Sequence, residues 1–325
     1  MSKIQGRLIS LGIAKEITRG LGAAPTMWLP HTEFNLVNKV DKVRDESSFG
    51  NLADVQDSII TEKYSEGDIS AELRDQTFGY FLLAYFGAVS SAANGAAYKH
   101  TYTWTDTNQN QSLSLMKKDA ISTEMYKLAM IKSLDIKAAL NSFVNFTAGI
   151  MAKVQTPSSG TPSFTATENK FSKKHIFVKV AADIAGLTTA SALNLKTLDF
   201  KGNKNVSRDS AMGTVQPLDI LNGTHSAEVS FTLNYEDTTF RDYLLNGTFK
   251  AMEIMIENAD VDLGGGVHPS VKFQFPRVEF DCEPNYALEE IISQTVTCKC
   301  HYDLTNLLKP ISLCELVNAK ASYAA

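Results

Sequence analysis

The sequence predicts a mainly β protein made of two tandem copies of one unit. Each copy is expected to be a β-sandwich or rolled sheet with one short flanking helix. Three observations carry this. First, Asp75-Gln-Thr-Phe78-Gly-Tyr-Phe-Leu82-Leu83 returns 162 positions later as Asp237-Thr-Thr-Phe240-Arg-Asp-Tyr-Leu244-Leu245, with five of nine positions identical. A repeat at half the chain length is the mark of a duplicated unit. Second, each copy of the motif follows a run that alternates apolar and polar residues, the period of a half-buried strand. Third, residues 156–170 are rich in Pro, Gly, Ser and Thr and have no period, as expected of a linker at the seam. The predicted division is 1–155, linker 156–170, and 171–325.

The elements follow in the same order in both halves. The first strand lies around Glu33–Val40 and again around Leu193–Phe200. A long polar stretch comes next, with Arg44-Asp45 and Gly50 in one copy and Arg208-Asp209 and Gly213 in the other. In the second strand Ile69, Ala71 and Leu73 alternate with Ser70, Glu72 and Arg74, and Ala227, Val229, Phe231 and Leu233 alternate with Glu228, Ser230 and Thr232. The repeated motif then opens a helix. Asp75 and Asp237 are its candidate N-caps, because a carboxylate can accept the unpaired amides of a first turn. Phe78, Phe81 and Leu82, like Phe240, Tyr243 and Leu244, fall at i, i+3 and i+4 and form a stripe to pack on a sheet. Gly87 and Gly247 stand where each helix should end.

Further strands are expected at Ser112–Lys117, Lys127–Leu140 and Ser142–Gln155. Their counterparts are Ala251–Glu257, Ser270–Phe280 and Ile291–Tyr302. Residues 88–111 and 258–269, rich in Gly, Ala, Asn and Thr, read as exposed loops.

Composition narrows the function. The chain has 325 residues, 44% hydrophobic and 21% charged, which is globular and large enough for two cores. No apolar run approaches the roughly 20 residues of a membrane helix, so no membrane partner is expected. The first residues lack a signal-peptide core, as expected of a chain kept in a cytoplasm. The net charge is −5, with residues 1–157 neutral and the acidic excess in 158–325. Tight nucleic-acid binding would call for a basic patch.

Chemistry-bearing patterns are missing. There is no phosphate-binding loop, and Gly264-Gly-Gly266 reads as a turn. The six histidines are scattered, and Cys282, Cys298, Cys300 and Cys314 match no zinc spacing. They read as small buried residues of a reducing compartment. Carboxylate pairs Asp260/Asp262 and Glu289/Glu290 read as solvated loops. No catalytic residue, metal or cofactor is expected.

The order of motifs resembles the tail tube (major tail) proteins of phages with long non-contractile tails. It begins with Gly12-Ile-Ala-Lys-Glu16, Gly20, Ala24-Pro-Thr26 and Leu29-Pro30. It continues through Gly67-Asp-Ile-Ser-Ala-Glu-Leu73, Phe78–Leu83, Gly87, Tyr98-Lys-His-Thr-Tyr-Thr-Trp104 and Ser112-Leu-Ser-Leu115. It closes on Phe275-Pro-Arg-Val278 and Thr297-Cys-Lys-Cys-His-Tyr-Asp303. The resemblance implies a structural virion protein, assembled in the host cytoplasm, whose rings stack into a hollow tube that DNA crosses without tight binding. Tandem-domain relatives form trimers with pseudo-sixfold symmetry, and single-domain relatives form hexamers. Each unit would contribute to a ring-wide β-barrel. Implied partners are other copies of the chain, the tape measure protein, the tail terminator and the distal tail protein.

On that resemblance Glu66, Asp68, Glu72 and Glu228, on the polar faces of the repeated strands, are candidates to face the lumen. The stretches 41–64 and 201–224 are candidates for contacts between rings. The competing reading is a tandem β-sandwich binding module at a tail tip that recognises glycan or host surface, with Tyr98, Tyr102 and Trp104 as its aromatic cluster. An enzyme ranks third.

Overall fold

The computed structural model describes residues 3, 5–286, 288 and 291–324. The chain runs through β1 (Ser10–Lys15), β2 (Met27–Leu29), β3 (Glu33–Phe34), β4 (Val37–Asp45), β5 (Asp57–Glu72) and helix α1 (Phe78–Phe86). A hairpin of β6 (Gly87–Asn94) and β7 (Ala97–Trp104) follows, then β8 (Leu113–Lys118), β9 (Thr123–Ala139), β10 (Asn145–Ala152) and β11 (Thr156–Pro157). The second half has β12 (Ile176–Ala181), β13 (Leu195–Asn203), β14 (Ser207–Asp209), β15 (Asp219–Leu221), β16 (Ser226–Asn234) and α2 (Thr239–Leu245). It ends with β17 (Lys250–Glu257), β18 (Ser270–Asn285), β19 (Ser293–Cys300) and β20 (Leu313–Asn318). The fold is mainly β, with large antiparallel sheets.

One pairing pattern occurs twice. In the first half β4 pairs β5, β5 pairs β10, and β10 pairs β9. In the second half β13 pairs β16, β16 pairs β19, and β19 pairs β18. The edge strand β13 then pairs β9, so both four-stranded units share one antiparallel sheet, β4-β5-β10-β9-β13-β16-β19-β18. The long strands β9 and β18 each continue into a second layer. The start of β9 pairs β8 and β11, and β8 pairs β1. The start of β18 pairs β17 and β20, and β17 pairs β12. The opening strands β1 and β12 were not expected from the sequence.

The core lies between these layers. Ile69, Ala71, Phe146, Ala148, Leu134 and Ile136 from one unit join Leu198, Phe200, Val229, Phe231, Val296 and Phe280 from the other. Helix α1 caps it. Phe146 sits between Phe78 and Phe81, with ring centroids 5.0 and 4.9 Å apart. Truncating a ring held this way costs about 3–5 kcal/mol.

Helix α1 is buried on all sides, not on one stripe. The β6–β7 hairpin and the C-terminal segment cover its outer face. Tyr323 stacks edge-on to Tyr80 at 5.2 Å, over Gly79, where a Cβ would meet the Tyr323 ring at 2.2 Å. Helix α2 has no such cover. Phe240 is buried and Tyr243 packs on Phe280, but Leu244 is 40% exposed. The expected packing role of Leu244 is therefore not met, because the second half lacks the hairpin.

The expected N-cap at Asp75 is also corrected. Its carboxylate accepts instead from the Asn169 amide and side chain, both at 2.9 Å. The start of α1 is held by Glu168, whose Oε1 accepts the Thr77 amide at 2.6 Å. The stretch 156–170 is thus tied back onto the first half. Asp237 lies one residue before the α2 cap and accepts the amide of Thr239 at 2.9 Å. Helix α1 ends on Gly87 at φ 100°, which only glycine adopts freely.

Three segments that the sequence presents as loop or polar stretch hold hairpins. Residues 88–111 contain the β6–β7 hairpin, not an exposed loop. Residues 41–64 form the outer part of a long β4–β5 hairpin arm, and 201–224 hold the smaller β14–β15 hairpin. The segment 258–269 is a turn-rich connection in which Asp262 accepts the amides of Gly264 and Gly266.

Candidate functional site

Strand alternation gives the eight-stranded sheet one apolar and one open polar face. On β5 the open face carries Glu66, Asp68, Ser70 and Glu72. Register across β10 and β9 brings Asp135 and Lys137 alongside, and β13 adds Asp199 and Lys201. Glu228 of β16 lies beside Lys201 on one side and Lys299 of β19 on the other. Glu279, Asp281 and Glu283 of β18 finish the row. All four acidic residues singled out in the sequence share this face.

The charges on the face are partly neutralised. Glu66 accepts from Lys132 at 2.7 Å and Lys39 at 2.8 Å, and these ammonium groups hold its carboxyl below the usual range. Glu72 is met by Lys170 at 2.7 Å and Arg74 at 3.2 Å. Burial pushes the Asp135 carboxyl up, and the nearby Asp199 adds to that. Carboxylates still outnumber ammonium groups, most of all on β18.

Among the described residues neither outer edge of this sheet is paired with a further strand: β4 pairs only with β5, and β18 beyond Val278 pairs only with β19. The β4–β5 arm exposes Val37, Val40, Val43 and Ile59. Apolar residues on an unpaired edge are a ready surface for another chain.

The two arms meet. Arg208, on β14, binds Asp41 at 3.0 Å and Glu62 at 3.1 Å and stacks 3.8 Å from the Tyr64 ring centroid. The amide of Lys63 donates to Val215 at 2.7 Å. The β14–β15 hairpin is clasped from its other side by Arg19, through Asp219 at 2.8 Å and the Ile220 carbonyl, while the same guanidinium donates to the Asn110 carbonyl of the first half. The loop that carries Arg19 hangs on buried Glu16. That carboxylate accepts from Ser112 at 2.6 Å, Ser114 at 3.0 Å, Leu128 N at 2.8 Å and Gly20 N at 2.7 Å. Glu16 belongs to the N-terminal motif read in the sequence, but its role was not legible there.

The other candidates do not form a site. Cys282, Cys298, Cys300 and Cys314 are free and buried, and burial raises each thiol. Among the described residues no group of three or more His, Cys, Asp or Glu is placed to hold a metal ion. Asp260 pairs with Lys174 and His175. Glu289 and Glu290 lie outside the described residues. Tyr102 and Trp104 are buried on the inner face of the β6–β7 hairpin, so no exposed aromatic cluster forms with Tyr98. Among the described residues no helix is long and apolar enough to cross a membrane.

The family of phage tail tube proteins matches residues 6–300. No curated protein matches the chain. The open-ended sheet and the match agree, and the chain belongs to the phage tail tube protein family, whose members are structural parts of the virion tail that associate with themselves into a tube.

Proposed function

We propose that this chain is a ring-forming subunit with two tandem tube domains, residues 1–155 and 171–325, joined by 156–170. Three chains make a ring of pseudo-sixfold symmetry, and rings stack into the hollow tube that carries genomic DNA. The observation that carries this reading is the four-stranded unit, present twice in one sheet that is open at both ends.

Size supports it. Eight strands from each of three chains give 24. Strands spaced about 4.8 Å apart and tilted about 40° step about 6.3 Å around the barrel. The circumference is then roughly 150 Å and the bore, after side chains, about 38 Å. Duplex DNA fits with room for water. With the apolar face covered by the helices and second layer, the polar face turns to the bore. Glu66, Asp68, Glu72 and Glu228 then keep phosphates from sticking, while the paired lysines are held by neighbouring carboxylates. The β4–β5 and β14–β15 arms project from the sheet and serve contacts between rings. Tape measure, terminator and distal tail proteins complete the assembly.

Electron microscopy of the purified protein at increasing concentration tests this. Hollow tubes with threefold rings and six similar densities are expected. Sixfold rings would keep the tube and overturn the tandem arrangement. Monomers alone, even when seeded with a tail-tip complex, would overturn the tube reading.

A further inference from the structure

We propose that the free edge of β18 binds the free edge of β4 of a second copy of this chain, in the register of the β9–β13 seam already formed inside each chain. The inference rests on the ring reading and names its joint: Asp281 faces Lys39, Cys282 faces Asn38, Glu283 faces Val37 and Pro284 faces Leu36.

The register follows from the repeat. Ile69 and Phe231 stand at equal distances before Asp75 and Asp237. Ile69 faces Phe34 on one side and, through Ala148, Leu134 on the other. Phe231 faces Leu198 and, through Val296, Cys282. Thus Leu134 corresponds to Cys282, and Leu198 to Phe34. Inside the chain Leu134 faces Gly202, Ile136 faces Phe200 and Ser133 faces Asn203. Carrying each partner to its counterpart gives the pairs above.

The hydrogen-bond phase of the two edges agrees. The amide of Lys204 donates to Lys132 O, so even-numbered residues of β13 and β9 turn their peptide groups to each other. The Asn35 amide donates to Asp68 O, which leaves residues 34, 36, 38 and 40 turned outward, with the Leu36 carbonyl 3.4 Å from the Tyr126 hydroxyl and the edge open from Asn38 onward. The His301 amide donates to Arg277 O, which leaves residues 280, 282 and 284 of β18 turned outward. These are the counterparts of the seam residues. Pro284 lacks one donor, so this joint has one ladder bond fewer than the internal one.

Side chains agree as well. In the internal seam Tyr85, at the end of α1, fills the space that Gly202 leaves, and a Cβ there would meet its hydroxyl at 2.1 Å. The counterparts are Gly247 and Asn38, so the small and large partners are exchanged across the joint. Lys204, fully buried in the internal seam at the end of α1, corresponds to Val40, which is 43% exposed. The joint brings Val40 to the end of α2, where Leu244 and Leu245 are exposed. It also brings the Lys39 ammonium to Asp281.

Cysteine pairs test the register. Positions 39 and 281, like 37 and 283, would be non-hydrogen-bonded neighbours, about 4.5 Å apart at Cα, within the span of a disulfide. Tubes of full-length Lys39→Cys/Asp281→Cys should, on mild oxidation, convert nearly all chains to covalent trimers on a non-reducing gel. Val37→Cys/Glu283→Cys should do the same, and serves if the first variant fails to fold. The offset pair Lys39→Cys/Glu283→Cys and each single variant should stay monomeric on the gel. Tubes in which neither in-register pair links, or in which the offset pair or a single variant links instead, would overturn the joint and leave the tube reading standing. Wild-type protein that forms no ring would overturn both.

Discussion

Lys204 Nζ donates to the carbonyl oxygen of Ala84 at 3.0 Å, from a side chain with no exposed surface. With its oxygen turned to the lysine, the Asn110 amide accepts a second bond at 3.0 Å. The end of a helix favours a cation, but burial, with Arg19 adding repulsion, lowers the Lys204 pKa to about 7. Above that value the folded chain binds fewer protons here than the unfolded chain, until the ordinary lysine range is reached. Stability must therefore rise with pH across that window, by at most about 1.4 kcal/mol per unit. Lys204→Met should remove this slope, gaining on the wild type near pH 6 and losing to it near pH 10. Urea unfolding of both proteins at a series of pH values measures it, and parallel curves would sink the assignment.

Arg19 ties the N-terminal loop to the β14–β15 hairpin through charged hydrogen bonds in a site about one-fifth exposed. Arg19→Ala leaves Asp219 and two carbonyls short of a donor. The expected loss is about 2 kcal/mol. Hydrogen exchange should quicken at residues 207–221 and stay unchanged in β9 and β10.

Gly202 and Tyr85 form a coupled pair. Gly202→Ala should cost about 1–3 kcal/mol by overpacking. The Tyr85 hydroxyl is buried without a partner, so Tyr85→Phe should be neutral or mildly stabilising. It should also relieve part of the Gly202→Ala cost, because the hydroxyl is the atom nearest the added carbon. A double-mutant cycle by thermal unfolding gives the coupling, and strictly additive effects would contradict the packing argument.

Deleting residues 45–60 removes the outer arm but spares the part of β5 that pairs β10. The variant should fold, with unchanged near-ultraviolet dichroism, and fail to stack. Tubes of normal length from it would end the inter-ring role of the arm.

Much of this fold was legible where one strand face is buried. β5, β16, β18 and β19 alternate cleanly, and the repeated Asp-x-Thr-Phe motif marked both helices. The arm was not legible, because both its faces meet solvent and its valines recur at 37, 40 and 43, a spacing with no strand period. The β6–β7 hairpin hid behind small residues that read as loop. Asp75 misled because its partner Asn169 is distant in sequence. The open-face position of Glu66, Asp68, Glu72 and Glu228 followed from alternation alone. Glu279, Asp281 and Glu283 carry the same signal between Val278, Phe280 and Cys282 and could have been found with them.

The β9–β13 seam closes within a single chain, so its formation is independent of subunit concentration. Two separate units would have to find each other by diffusion, whereas the connecting segment holds them at a high effective concentration. In a ring of three such chains only half the joints remain to be made by encounter. Closure then depends on the third power of subunit concentration instead of the sixth, and nucleation stays feasible in dilute solution.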